Sequence, residues 1–262
     1  MTEQPPLRLR AIECGRMQGD LGLFLEGETG RFSFPVLAFL VEHPRGTLLF
    51  DAGLHPDVAD DPAARIGAPA RLFGFDFSVG DDVASKLAAC GVEPATVTHV
   101  VNSHLHFDHA GGNALLPNAR LLVQRREWEA GHDADAVAQN AFNPADYDHG
   151  HDVVLVDGGH DVFGDGSVVC VPTFGHTPGH QSLKVRTAGG DVVLTADACY
   201  LRRTLEDMHL PRAVADRDAM LASLGTLAAL QARGARLVFG HDPELWSRLP
   251  AAPRELTAKD IH

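Results

Sequence analysis

Six consecutive positions, His104-Leu105-His106-Phe107-Asp108-His109, hold three imidazoles and a carboxylate, directly after the β-branched run Thr98-His99-Val100-Val101-Asn102. No other stretch constrains the fold as strongly. A strand that ends in a dense polar cluster needs a sheet edge where loops from several strands meet, and open α/β sheets provide one at their carboxyl ends. Neutral imidazole and carboxylate are borderline-to-hard donors, so four of them in six positions indicate a site for divalent cations.

The remaining pattern supplies the sheets. Pro35 to Glu42 and Thr47 to Asp51 are apolar runs separated by His43-Pro44-Arg45-Gly46, which reads as a hairpin. Asp81 to Cys90 has helical spacing closed by Gly91, Leu121 to Val123 is a strand, and Arg125 to Ala130 starts a helix. The polar stretch of about 132–151 has no clear period and reads as a loop or cap. Val153 to Val156, Val168 to Val171, Ser182 to Arg186 and Val192 to Thr195 are short strands bounded by Gly or Asp. Asp216 to Arg233 spaces Met220, Leu221, Leu224, Leu227 and Leu230 on a helix, and Leu237-Val238-Phe239 is a last strand. Strand-rich halves each ending in helices indicate two packed sheets with helices outside, a four-layer αββα sandwich. The tail from Pro250 reads as peripheral.

With 262 residues, 45% of them hydrophobic, the chain fits one large α/β domain over 1–262. A formal net charge of -13 argues against nucleic-acid or anionic-membrane partners and favours a small neutral substrate. The segment Met1 to Arg8 lacks a charged region followed by an apolar run, and no later stretch is long and apolar enough to span a bilayer, so a cytoplasmic location is expected. Cys14, Cys90, Cys170 and Cys199 form no CxxC pair and read as free buried thiols.

His104 and His106, two apart at a strand end, can share one ion, while Asp108 and His109 diverge at the following turn toward a second. Three distant strand ends offer further donors. In Thr173-Phe174-Gly175-His176-Thr177-Pro178-Gly179-His180 either histidine can bind metal. Asp197 follows the strand Val192 to Thr195, and its two oxygens can bridge two cations. His241 follows Leu237 to Phe239.

HLHFDHAGG at His104 to Gly112, GHTPGHQSL at Gly175 to Leu183, TADACY at Thr195 to Tyr200, FGHD at Phe239 to Asp242 and LLVQRREWEAG at Leu121 to Gly131 together resemble the metallo-β-lactamase superfamily, and within it the N-acyl homoserine lactonases. The resemblance runs from about Phe34 to Asp242. It implies a first metal on His104, His106 and His176, a second on Asp108, His109 and His241, and Asp197 as the bridge. Zinc is the expected metal, with manganese, iron or cobalt suited to the same donors. His180 would then support the site from behind, and Asp51, at the end of its strand, would orient the metal histidines. The chain departs from the family at Phe174-Gly175, where a Pro-Gly pair is usual.

The resemblance also implies a reaction. A hydroxide bridging two cations attacks the lactone carbonyl of an N-acyl homoserine lactone; Tyr200 donates to the developing oxyanion, and Asp108 returns a proton to the leaving ring oxygen. An acyl chain needs an apolar groove. Phe24, Phe32 and Phe34, in an N-terminal flap of about 15–34, are the candidate lining, and Phe73, Phe75 and Phe77 form a second patch; acyl-chain contact, a homodimer contact and simple core packing are the readings open to both. Other lactones such as a pyridoxolactone-like ring, esters and phosphotriesters suit the same donors. Among relatives with HxHxDH, a glyoxalase-II-like thioesterase and a persulfide-oxidising iron enzyme are the alternatives of different class.

Overall fold

In the computed structural model, which describes residues 7–248 and 254–261, the strands form two sheets. The first runs in the spatial order β13 (Arg254–Glu255), β1 (Arg8–Asp20), β2 (Arg31–His43), β3 (Gly46–Phe50), β5 (His99–Val101), β6 (Arg120–Gln124) and β7 (Val153–Val156), with β4 (Gly74–Asp76) added against the end of β1. The second runs β12 (Arg236–Val238), β11 (Gly190–Leu194), β10 (Gln181–Thr187), β9 (Val168–Pro172) and β8 (His160–Asp161).

Side-chain alternation along the strands sets the layers. In β2, Leu37, Phe39 and Val41 join Leu183 and Val185 of β10 in the core between the sheets. The intervening Val36, Ala38 and Leu40 turn the other way, onto Val83 and Leu87 of the helix Val83–Ala89. Val192, Val193 and Leu194 of β11 are all fully buried, and Met220, Leu224 and Leu227 of the helix Arg217–Ala232 pack in the same core. The result is helix, sheet, sheet, helix, the expected αββα sandwich. Each such aliphatic side chain contributes about 1.5–3 kcal/mol of burial.

The parallel strands matter most for function. β3, β5, β6 and β7 are parallel in the first sheet, and β11 and β12 in the second. Their carboxyl ends deliver Asp51, His104, Asp197 and His241 to one edge of the sandwich.

Four segments differ from expectation. The strand β1 breaks its alternation at a bulge between Glu13 and Arg16, which hides it from a period-two reading. Gly15 makes that bulge, with φ +84° and Phe77 Cδ2 2.6 Å from where a Cβ would stand. The proposed flap of 15–34 is therefore mostly sheet: residues 15–20 belong to β1 and 31–34 to β2, with Met17 opposite Phe34 and Gly19 opposite Phe32. Only residues 21–30 connect them, and the helix Leu21–Phe24 opens that link. The stretch 132–151 carries the helix Ala134–Asn140 and a turn at Pro144–Asp146. It is anchored by Tyr147, whose buried hydroxyl donates to the Gly131 carbonyl at 2.6 Å. Pro250 to Pro253 lie outside the described residues, but the tail beyond them is not peripheral: β13 pairs with β1, and Leu256, Ala258 and Ile261 are buried. Among the described residues no helix is long and apolar enough to cross a membrane.

Candidate metal centre

Seven buried or nearly buried side chains converge at the shared strand ends in two groups, His104, His106, His176 with Asp197, and Asp108, His109 with His241. The run after β5 turns sharply into the four-residue helix Phe107–Ala110, which separates Asp108 and His109 from the preceding pair. Ala196, before Asp197, has φ +44°, a conformation that non-glycine residues adopt at a cost and that is common at functional sites.

Asp197 lies between the groups. Its Oδ2 is 3.4 Å from His176 Nε2 and 3.7 Å from His104 Nε2; its Oδ1 is 3.2 Å from both His109 Nε2 and His241 Nε2. Asp108 Oδ2 closes the second group at 3.6 Å from His109 Nε2 and 3.7 Å from His241 Nε2. In the first group His106 Nδ1 is 2.9 Å from His104 Nε2 and 3.1 Å from His176 Nε2. Ligand atoms about 2.0–2.1 Å from a tetrahedral cation are about 3.4 Å from one another, so these spacings suit one cation in each group.

The hydrogen bonds on the far side of each ring fix which nitrogen faces inward. A carbonyl only accepts, so His106 Nε2 donates to Asn140 O at 2.8 Å and His241 Nδ1 donates to Pro35 O at 2.9 Å. His109 Nδ1 donates to Asp51 Oδ2 at 2.9 Å, and His104 Nδ1 lies 2.9 Å from Ser103 Oγ, which donates to the same Asp51 oxygen at 2.8 Å. Asp51, at φ +60°, thus reaches one histidine of each group, one of them through Ser103. His176 Nδ1 meets the Tyr200 hydroxyl at 3.2 Å.

His180 is spent elsewhere. Its Nε2 accepts from the Asp197 backbone N–H at 3.2 Å, its Nδ1 meets Thr173 Oγ1 at 3.0 Å, and burial pushes its imidazole down to about 3. Of the two histidines left open by the sequence, His176 alone faces the cluster. The substituted Phe174-Gly175 pair is accommodated because the loop rests on the helix Arg217–Ala232: Asp216 N donates to Gly175 O, Ala215 N to His176 O, and Ser223 Oγ to Phe174 O.

The charges also point to a cation. Burial and the neighbouring imidazoles hold His104 well below its ordinary range, and burial does the same to His176. For His109 burial acts in the same sense but is outweighed by Asp197, Asp108 and Asp51, which raise it well above the usual value. Asp197 resists the upward push of burial because His109 and His241 stabilise its charge. Even so, His109 Nε2 and Asp197 Oδ1, buried and 3.2 Å apart, meet no hydrogen-bond geometry. Two buried, unsatisfied donor-set atoms facing each other are what a metal-binding pair looks like before the ion is added.

Aromatic rings flank the second group. Phe24 packs edge-on to Tyr200 at 4.9 Å and Phe34 to His241 at 5.0 Å; Tyr200 stacks on His241 at 5.7 Å, and Phe32 meets Phe24 at 5.0 Å. Phe73 extends the wall from Phe34 to Phe107. Phe24, Phe32, Phe34 and Tyr200 are thus brought together, with Phe32 and Phe34 standing on β2 rather than on a flap. Burial holds the Tyr200 phenol well above its ordinary range, so it remains a donor. Cys199 is fully buried, and burial pushes its thiol up, as expected of a free buried thiol. Sequence reasoning missed Ser103, the carbonyls of Pro35 and Asn140, and Phe107. Only Ser103 carried a signal, its place beside His104.

The family model of the metallo-beta-lactamase superfamily matches residues 32–241. The N-acyl homoserine lactonase AttM of Azorhizobium caulinodans is 34% identical over 238 residues, spanning 87% of this chain and 89% of its own length. The N-acyl homoserine lactonase AiiA of Bacillus thuringiensis subsp. kurstaki is 31% identical over 224 residues, spanning 81% and 83%. The solved structure of an N-acyl homoserine lactone hydrolase with the product N-hexanoyl-L-homoserine at its catalytic metal centre superposes with a TM-score of 0.86 at 28% identity, covering 95% of this chain and 98% of that one. The chain belongs to the metallo-beta-lactamase superfamily and, within it, to the N-acyl homoserine lactonase family.

Proposed function

We propose that this protein opens the lactone ring of N-acyl homoserine lactones with two divalent cations, one on His104, His106 and His176 and one on Asp108, His109 and His241, with Asp197 shared between them. The observation that carries this is Asp197, which directs one oxygen to each group at spacings a tetrahedral ion requires. The nitrogen and oxygen donors, without thiolate, suit zinc. Two such cations supply Lewis acidity that polarises a carbonyl and acidifies a water near neutral pH.

The chain's own groups complete the chemistry. Tyr200 presents a neutral hydroxyl beside the first group and donates to the carbonyl oxygen as charge develops there. Asp108 is the more accessible of the two carboxylates, its side chain 11% exposed against 5% for Asp197, which supports it as the group that carries a proton to the departing ring oxygen. Phe24, Phe32 and Phe34 form an apolar wall for the acyl chain and exclude water. All four cysteines are free, as in a reducing compartment, which supports a cytoplasmic location. The exposed Leu72 and Val79, on either side of β4, support a homodimer contact there.

The test joins metal quantification to proton-release assays on short- and long-chain N-acyl homoserine lactones, with a pyridoxolactone and a thioester as comparison substrates. Fully metallated protein that opens no acyl homoserine lactone, or Asp108→Ala with undiminished turnover, sinks the proposal.

A further inference from the structure

Glu127 is fully buried on the helix Arg125–Ala130, outside both groups of candidate ligands. Its two carboxylate oxygens are divided between two loops. Oε1 accepts from the Leu105 backbone N–H at 3.1 Å, and Oε2 accepts from the Gly179 backbone N–H at 2.7 Å. Leu105 stands between His104 and His106, and Gly179 lies three residues after His176. One side chain therefore grips the two loops that supply the three histidines of a single group. The loops also come unusually close to it: a Cβ on Gly179 would fall 2.3 Å from Glu127 N and 2.7 Å from Glu127 Cβ. Asp51 contacts Ser103 and His109 but neither the Leu105 nor the Gly179 amide, so holding these two loops together falls to Glu127.

We propose that Glu127 is a positioning residue that sets the separation of the His104/His106 loop from the His176 loop, and thereby the affinity of that group, and not the other, for its cation. This rests on the two-cation assignment above. Both partners are N–H donors, so the ionised carboxylate is the form that accepts from each, and the titrations are run at about pH 8, where it predominates. Glutamine offers one oxygen and turns its amide NH2 toward the remaining donor, which loses its acceptor. Groups that orient metal ligands from behind change affinity by about 10- to 100-fold when altered.

The experiment titrates the metal-free full-length chain with Zn2+ against a chromophoric chelator in two backgrounds. Asp108→Ala leaves the His104, His106, His176 group intact, and His106→Ala leaves the Asp108, His109, His241 group intact. Adding Glu127→Gln is expected to weaken Zn2+ binding about 10- to 100-fold in the first background and by less than about threefold in the second. Gly179→Ala, which pushes the same loop off the helix from the other side, is expected to give the same asymmetry. Equal losses in the two backgrounds, or no loss in the first, overturn the inference. If Glu127→Gln fails to fold, Glu127→Asp keeps the charge but withdraws it by one methylene, and it must reproduce the asymmetry. A parent chain that does not bind two equivalents, or backgrounds that do not each lose one, would instead refute the two-cation assignment, and the inference that rests on it would fall with it.

Discussion

Replacing Asp51 with asparagine removes a charge while keeping shape and backbone. Asp51 lies at φ +60°, a region asparagine tolerates better than other non-glycine residues, so the turn after β3 should survive. Three donors converge on the carboxylate: Ser103 N at 2.7 Å on Oδ1, with Ser103 Oγ at 2.8 Å and His109 Nδ1 at 2.9 Å on Oδ2. An asparagine whose oxygen faces Ser103 N turns its NH2 onto His109 Nδ1–H; the flipped amide turns it onto Ser103 N–H instead. The Ser103 hydroxyl can rotate to accept, but one of the other two donors is orphaned in either orientation. When His109 gives its Nε2 lone pair to a cation, Nδ1 must keep its hydrogen, so the conflict falls on the bound state. A hydrogen bond to a charged group is worth about 1.5–3 kcal/mol, which converts at 1.4 kcal/mol per decade to about 10- to 100-fold in affinity. Burial outweighs these bonds and raises the Asp51 carboxyl above its ordinary range, so the neutral amide also relieves a desolvation penalty. Unfolding of the metal-free variant in urea is therefore expected to change little, while one of two Zn2+ equivalents weakens about 10- to 100-fold in a chelator competition titration. Asp51→Ala adds left-handed backbone strain of about 1 kcal/mol and should unfold more easily than Asp51→Asn. Two Zn2+ equivalents bound by Asp51→Asn as tightly as by the parent would refute the reasoning.

Tyr200→Phe retains the ring contacts with Phe24 and His241 and removes only the hydroxyl, so kcat in the proton-release assay is expected to fall about 100-fold with metal content unchanged. Burial pushes Glu127 up to about 7 from an ordinary 4.5, so between those values the folded metal-free chain holds a proton that the unfolded chain has released. Stability should then fall as pH rises from about 4.5 to about 7, by up to about 3 kcal/mol, and Glu127→Gln should remove that part of the slope in urea unfolding. Asp146, raised by burial to about 6, adds a slope of the same sign in both proteins and cancels in the comparison. Gly175→Ala combines φ +125° with a Cβ 2.2 Å from Met220 N, and is expected to cost about 3 kcal/mol or more in thermal or urea unfolding.

Residue chemistry by itself determined the candidate donors, because only a few side-chain types bind divalent ions and four of them stand within six positions after a strand. The element types are legible for the same local reason: a continuous apolar run along β2 marks a strand buried on both faces, and the helical spacing from Met220 to Leu227 marks a helix with one buried face, without knowing what either faces. Where local pattern is interrupted, the sequence misled. The Gly15 bulge hid β1 and made a sheet hairpin look like a flap, and the polar stretch around the helix Ala134–Asn140 gave no period although Tyr147 anchors it. The tertiary structure alone decided which atoms meet. His176 and His180 are equivalent as letters; they differ because His180 is engaged by Thr173 Oγ1 and the Asp197 amide while His176 Nε2 faces the cluster. The outward partners of the histidines, Asp51 through Ser103 and the carbonyls of Pro35 and Asn140, lie as far as 206 residues away in the chain, beyond the reach of any local signal. Glu127 is the extreme case. On a short polar helix it reads as one more solvated carboxylate, and only the approach of two loops from different sheets shows that its oxygens hold them.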